Sequence, residues 1–293
     1  MKLGLQLAQN PAAPEEIAQA ARAAEQRGYA SLWVSDHLLL PAAGSPLPPL
    51  EIMEPVVLLS YAAAVTRTIR LGTSVLVLPY RNPVHLAKEL ATLAIVSRGR
   101  LIAGVGSGWL EAEFRALGAS YPRRGAFTDE AIRLMRTLWA SEEAQFKGEF
   151  FEFESMRFGP RPPAGSIPIW VGGQSRRAIR RALELGDGYH GSRLTAEELS
   201  VRLRWLRDAA AARGRGLDGF ALTHRVYLGF ADRWTETGGY FRGVLAPPDR
   251  LADYLNRFAR LGIEEMVIVP LGAASRLESF LDRFEREVRP RLD

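Results

Sequence analysis

The chain has 293 residues, 47% hydrophobic and 24% charged, with no cysteine. These proportions exclude a disordered or collagen-like chain, and the missing thiols exclude a disulfide scaffold and thiolate chemistry. The net charge of +5 carries no nucleic-acid signature: only Lys2, Lys88 and Lys147 are lysines, and Glu and Asp are spread among the arginines.

Leu3–Leu7 reads as a first strand, and Pro14–Arg27 as a helix with proline at its start and Gly28 after its end. Ser31–Ser35 is the second strand and Pro55–Arg67 the second helix. The run Arg70–Leu78 (RLGTSVLVL) is β-branched enough for a third strand. Pro83–Ser97 follows as a helix with Leu86, Leu90 and Leu93 on one face. Leu101–Val105 is the fourth strand, with a helix at Thr128–Ala140. Ile167–Val171 is the fifth strand, followed by a helix over Ser175–Leu185. Gly188–Gly191 and Thr195–Arg213 form the sixth pair, and Ala221–Phe230 and Pro248–Arg260 the seventh. Met266–Pro270 and Arg276–Val288 form the eighth, stopped by Pro290.

Eight alternating strand–helix units imply a parallel sheet closed into a (β/α)8 TIM barrel, expected to be one domain over residues 1–293. The strands are apolar throughout, as burial on both faces requires. A doubly wound sheet is the alternative. Insertions are expected after the second strand (Leu38–Met53, rich in proline) and after the fourth (Gly104–Gly125, then a hairpin-like excursion over Glu143–Pro163). No stretch approaches the ~20 apolar residues of a membrane span. No signal-like run precedes Pro11, so a cytoplasmic enzyme is expected.

A barrel collects its chemistry at the C-terminal ends of its strands. Asp36 and His37 follow the second strand, where a histidine can exchange protons near neutral pH and an aspartate can accept a ligand hydrogen bond. A loop-capping Asp and a packed His fit that position equally. Thr73, Ser74 and Val75 in the third strand leave room for a flat ligand, or simply pack the interior. Gly106-Ser107-Gly108-Trp109 follows the fourth strand, but Trp109 replaces the third glycine of a dinucleotide fingerprint. Gly172-Gly173-Gln174-Ser175 joins the fifth strand to a helix, where backbone N–H groups and the helix start favour a phosphate. The same serine could be a plain N-cap. His85 sits in a first helical turn. His190 ends the sixth strand and could face a substrate. His224 and Arg225 lie within the seventh, with no role assigned. No HxxxH or HExxH spacing supports a metal site. The cluster Arg176, Arg177, Arg180 and Arg181 reads as a solvated helix face.

Five stretches together resemble the luciferase-like monooxygenase superfamily of flavin- and deazaflavin-dependent oxidoreductases. They are SDHLLLP (35–41), EPVVLLSYAAAVTRTIRLGTSVLVLPYRNPVHLAKELATL (54–93), GRLIAGVGSGWLEAEFRALG (99–118), RRGAFTDEAIRLMRTLW (123–139) and IPIWVGGQSRRAIRRALELGDGY (167–189). They run in family order over about two thirds of the chain. GVGSGWLEAEF with SDH is most similar to the branch using coenzyme F420. The resemblance implies a barrel of the bacterial-luciferase type, often a homodimer, holding a flavin-type ring at its mouth. Asp36 would contact the ring and His37 would act as acid or base beside the reactive carbon. Ser74–Val75, preceded by Thr73, would be the family's non-proline cis peptide. Gly106, Ser107 and Gly108 would line the cofactor's polar tail, and Gly172, Gly173, Gln174 and Ser175 would hold its phosphate.

One departure stands out. Some F420-dependent dehydrogenases carry a glutamate soon after the fourth strand, whereas here Ser107-Gly108-Trp109 occupies that region and the nearest carboxylates are Glu111 and Glu113. A second catalytic acid is therefore not expected. The leading expectation is hydride transfer between F420 and a small organic substrate, lined by Leu38–Met53, Tyr80, Arg81, Trp109 and His190. The alternative is an FMN-dependent monooxygenase using oxygen and a separate reductase. Asp36 beside His37 favours F420. A ligand-binding barrel without catalysis, or a cofactor-free isomerase, fits less well.

Overall fold

The computed structural model describes residues 1–9, 13–42, 52–162, 167–239, 242–271 and 277–293. Eight parallel strands close into a barrel. They are β1 (Lys2–Gln6), β2 (Ser31–Val34), β3 (Arg70–Thr73, resuming at Leu76–Val77), β4 (Leu101–Gly106), β5 (Ile169–Gly172), β6 (Gly188–Ser192), β7 (Ala221–Phe230) and β8 (Glu265–Pro270). Pairing runs in chain order around the ring, and Lys2 opposite Glu265 joins β1 to β8. The expected TIM barrel is thus present. A doubly wound sheet would leave two open edges.

Among the described residues, eight helices of ten or more residues pack outside: α1 (Pro14–Gln26), α2 (Pro55–Val65), α3 (Pro83–Val96), α4 (Arg124–Ala140), α5 (Arg176–Leu185), α6 (Ala196–Ala211), α7 (Pro248–Arg260) and α8 (Leu277–Glu287). Their starts are encoded locally. Glu54 accepts from Val57 N, Asn82 from Val84 N and Ser175 from Ala178 N, while Thr195 and Glu198 form a reciprocal capping box. The main core fills the space between strands and helices. Inside the barrel, Trp33, Ile102, Trp170 and Val267 form a separate apolar plug.

The long excursion after β4 comprises a short helix (Glu111–Ala116), then α4, then a hairpin pairing Glu143–Lys147 with Glu152–Arg157. Buried Glu130 on α4 pins the hairpin turn by accepting from the N–H groups of Glu149, Phe150 and Phe151 at 2.7–2.8 Å. Of the segment after β2, residues 43–51 lie outside the described residues, and so do parts of the expected substrate lining there.

Three expectations need correction. The third strand is not continuous: it breaks at Ser74–Val75 and turns into a 3-10 segment at Leu78–Tyr80. An unexpected excursion follows β7, in which Gly243–Ala246 runs parallel to β7. The arginine cluster on α5 is not wholly solvated. Arg181 is buried and bonds Asp129 and the carbonyl of Gly125, tying α5 to α4.

Candidate active site

A cavity of about 540 Å³ opens at the C-terminal ends of the strands, within the usual range for small-molecule sites. Of the residues singled out from sequence, Asp36, His37, Ser74, Val75, Tyr80, Gly106, Ser107, Gly108, Trp109, Gly172, Gly173, Gln174, Ser175 and His190 line it. Thr73 and Arg81 do not. Thr73 is fully buried and donates to the carbonyl of Gly104 at 2.7 Å, closing the β3–β4 seam. Arg81 turns back to bind carboxylates, as described below.

His37 is 7% exposed, and its Nδ1 lies 2.9 Å from Oε2 of Glu113 on the short helix after β4. Glu113 is almost wholly buried. Its Oε1 accepts from the N–H groups of Leu38 and Leu39 at 2.8 and 3.1 Å, and its Oε2 also accepts from the Tyr80 hydroxyl at 3.0 Å. Burial pushes its pKa up, but His37 and the two backbone donors outweigh burial and hold the carboxyl below its ordinary range. Burial, and after it the charge of Glu113, push the Tyr80 phenol up, so it remains a donor. Since the carboxylate only accepts, Nδ1 carries the proton that faces it. The Trp109 ring stands edge-on to His37 with centroids 6.2 Å apart.

Asp36 is committed within the protein. Arg81 grips it in a bidentate pair at 2.6 and 2.9 Å, and Val77 N donates to it at 2.8 Å. Arg81 also reaches Glu54 at 2.9 Å, so one guanidinium ties the end of β2 to the start of α2. Asp36 therefore borders the cavity as an anchor of its wall.

The Ser74–Val75 peptide is cis, as the resemblance implied. The Val75 side chain fits against Gly106 and Gly172, where an added Cβ would stand 2.7 and 2.9 Å from its methyl groups. These two glycines are thus required by close approach at the cavity floor. The Gly172–Ser175 turn leads into α5, with Gly173 at φ +125°. The side-chain roles are already taken: Ser175 Oγ caps Ala178 N at 3.2 Å, and Gln174 Nε2 donates to the Ser192 carbonyl at 2.8 Å. What this turn offers an anion is backbone N–H groups and the positive end of the helix.

His190 borders the cavity but is spoken for on both sides. Nε2 meets Ser74 Oγ and Nδ1 meets Thr223 Oγ1, each at 2.7 Å, and the ring stacks on Trp33. Burial, then the charges of Arg225 and His224, drive its pKa well below the ordinary value, so it stays neutral. Among the described residues no group of three or more His, Asp or Glu could hold a metal ion.

Residues 2–262 match the family described as luciferase-like monooxygenase. The chain belongs to the luciferase-like monooxygenase family. It is an oxidoreductase by that membership and by its similarity to F420-dependent dehydrogenases. An F420-dependent glucose-6-phosphate dehydrogenase of Kineococcus radiotolerans is 33% identical over 241 residues, covering 78% of this chain and 68% of that one. Among solved structures, an F420-dependent secondary alcohol dehydrogenase superposes with a TM-score of 0.84 at 18% identity, covering 100% of this chain and 99% of the other. The monooxygenase RslO1 from Streptomyces bottropensis superposes at 0.80 with 22% identity, covering 99% of both. At these identities the two structures speak for the fold.

The sequence left Glu113 and four arginines of the cavity without a role. Glu113 was named only as one of the nearest carboxylates after the fourth strand, yet it is the direct partner of His37, which corrects the expectation that the histidine acts alone. The usable signal was position, since any carboxylate shortly after β4 can converge with a side chain ending β2. Arg225 lines the cavity from β7, and Arg124, Arg193 and Arg242 line it too. Alternation along β7 places Arg225 on the same face as Thr223, but full burial of the strand hides that pattern in the sequence. No helix among the described residues is long and apolar enough to cross a membrane.

Proposed function

We propose that this protein is an F420-dependent oxidoreductase that moves a hydride between the deazaflavin and a small organic substrate. The carrying observation is the His37–Glu113 pair at the rim of a cavity floored by Val75. Support comes from the 33% identical F420-dependent relative.

The cavity's residues fit the cofactor. Val75, nested against Gly106 and Gly172, gives a flat ring a backstop, and the Gly172–Ser175 turn gives a phosphate its N–H donors. The bound cofactor would supply the hydride chemistry. His37 does the proton work: Nε2 accepts the hydroxyl proton of a substrate being oxidised, or returns it to a carbonyl being reduced. Glu113 keeps Nδ1 protonated throughout and offsets the imidazolium charge. Trp109 and Tyr80 shield the reacting atoms from water. One barrel domain over residues 1–293, acting as a homodimer in the cytoplasm on a small-molecule substrate, completes the proposal.

The fold of RslO1 keeps an FMN-dependent monooxygenase as the second reading, one that would need a separate reductase. Fluorescence titration of the purified protein with F420 and with FMN separates the two. Preferential F420 binding, with turnover lost in His37→Ala while binding persists, is the expected result. FMN preference with reductase-dependent oxygen uptake would replace the first reading by the second.

A further inference from the structure

One charged group of the cavity has no task in that chemistry. Arg225 points inward from the middle of β7 and is only 4% exposed. Its side chain spans the barrel interior. Nε donates to Ser192 Oγ at 3.1 Å, and Nη1 donates to Ser35 Oγ at 3.0 Å and to the Ser74 carbonyl at 2.7 Å. All three partners are neutral oxygens, from the ends of β6, β2 and β3.

Among the described residues no carboxylate lies within ion-pair distance of Arg225; Glu236 lines the side chamber that Arg225 also borders, and the acids nearest the main cavity have other partners. Asp36 belongs to Arg81, Glu113 to His37, and Glu198 to Arg242. His190 and His224 are held neutral by burial and offer no counter-charge. The same wall carries an excess of positive charge, since Arg193 and Arg242 border both the main cavity and a small side chamber that Arg225 also lines, with Glu236 as that chamber's one carboxylate. The Tyr227 ring lies 5.5 Å from the guanidinium and gives it a further, uncharged contact. A desolvated guanidinium without a carboxylate partner is costly, and it is matched best by an anion brought in from outside. Its planar fork suits an oxygen-bearing, delocalised anion.

We propose that Arg225 is the receptor for a negatively charged group at the cavity floor, an anion subsite separate from the Gly172–Ser175 turn. Its natural occupant rests on the function proposed above. That occupant is either the ring edge of the reduced cofactor, which holds extra negative charge after accepting a hydride, or a carboxylate or phosphate of the substrate. Arg225 offers both the same interaction.

The test compares wild type with Arg225→Gln and Arg225→Lys, titrated with oxidised F420, reduced F420, oxalate and inorganic phosphate. Fluorescence reports binding, and circular dichroism reports folding. If the ring edge is the occupant, Arg225→Gln weakens the reduced form at least tenfold more than the oxidised form. The bound couple then shifts about 30 mV to lower potential, and Arg225→Lys recovers part of the shift. If the substrate supplies the anion, both redox forms bind as in wild type, while the glutamine variant loses oxalate binding and keeps only the phosphate bound by the Gly172–Ser175 turn. Should Arg225→Gln not fold, Arg225→Lys carries the test, because it keeps the charge and loses the fork. A folded variant that costs only stability, with all four ligands bound as in wild type, overturns the subsite. If wild type binds neither F420 nor FMN, the proposed function fails on its own, and the oxalate and phosphate titrations still decide Arg225.

Discussion

His37 and Glu113 stand 76 positions apart in the chain and 2.9 Å apart in the fold, one ending β2 and the other on the short helix after β4. The carboxylate fixes which ring nitrogen bears the proton. In Glu113→Gln the amide oxygen can still accept from Leu38 and Leu39 N–H, which turns its NH2 toward Nδ1. The histidine must then accept at Nδ1 and carry its proton on Nε2, the wrong tautomer for a base. Turnover is expected to fall on the order of ten- to hundredfold, with cofactor affinity changed less than about threefold. Stopped-flow and binding measurements on the variant check this. An unchanged turnover would remove Glu113 from the mechanism.

The barrel was legible because its strands are buried apolar runs separated by capped helices, and the caps at Glu54, Asn82, Ser175 and Thr195 are local signals. The break in β3 was not, because the one glycine of RLGTSVLVL, Gly72, sits inside the paired strand and Val75 finds its place only against Gly106 and Gly172. The six-residue helix Glu111–Ala116 is too short to show a period, and so the carboxylate it delivers was passed over. Asp36 shows a further limit of local sequence. Its type and position suit a ligand contact, but nothing near it in sequence says that Arg81 will claim it.

That claim makes Asp36→Asn a test of wall against ligand contact. The asparagine keeps an acceptor for Val77 N but leaves Arg81, itself largely buried, with only Glu54. Breaking a buried pair typically costs about 3–5 kcal/mol, and the surviving Glu54 pair places this case at the lower end. Urea unfolding should show the loss in the protein without cofactor. A stability change below about 0.5 kcal/mol, the level of ordinary surface substitutions, together with a large fall in cofactor affinity, would restore the direct contact expected from sequence.

The Val75 nest yields a steric prediction. Gly172→Ala sets a methyl group 2.9 Å from Val75 and 3.4 Å from the His190 carbonyl, so the floor must shift. Overpacking of this kind costs about 1–3 kcal/mol. Cofactor affinity is expected to fall at least tenfold, because the displaced side chain is the ring's backstop. Gly216→Ala, on an exposed turn with no close neighbour but Asp218, serves as the control and should leave affinity unchanged. Equal behaviour of the two variants would mean that Val75 does not shape the ring site.

Acid should weaken the fold through its buried histidines before the carboxylates respond. His224 is fully buried, stacked on Phe258, with Nε2 3.2 Å from the Leu194 carbonyl. Burial is the main reason its pKa falls from 6.5 to about 3, and His190 is shifted in the same direction. Below pH 6.5 the unfolded chain therefore binds protons that the folded protein refuses. Stability drops as pH falls through that value, by up to about 1.4 kcal/mol per pH unit for each such histidine, until the folded groups titrate too. Glu113, whose carboxyl is held low, adds its own loss only below its unfolded value near 4.5, while burial pushes Asp36 up and gives it the opposite sign, so the histidine share is read from the difference between wild type and a His224 variant. His224→Phe keeps a ring against Phe258 and removes one titrating group. Its unfolding free energy, measured in urea at pH 7.5, 6.0 and 5.0, should fall less steeply than that of wild type by about one histidine's share. Parallel slopes would mean that His224 takes up its proton in the folded state as readily as in the unfolded chain.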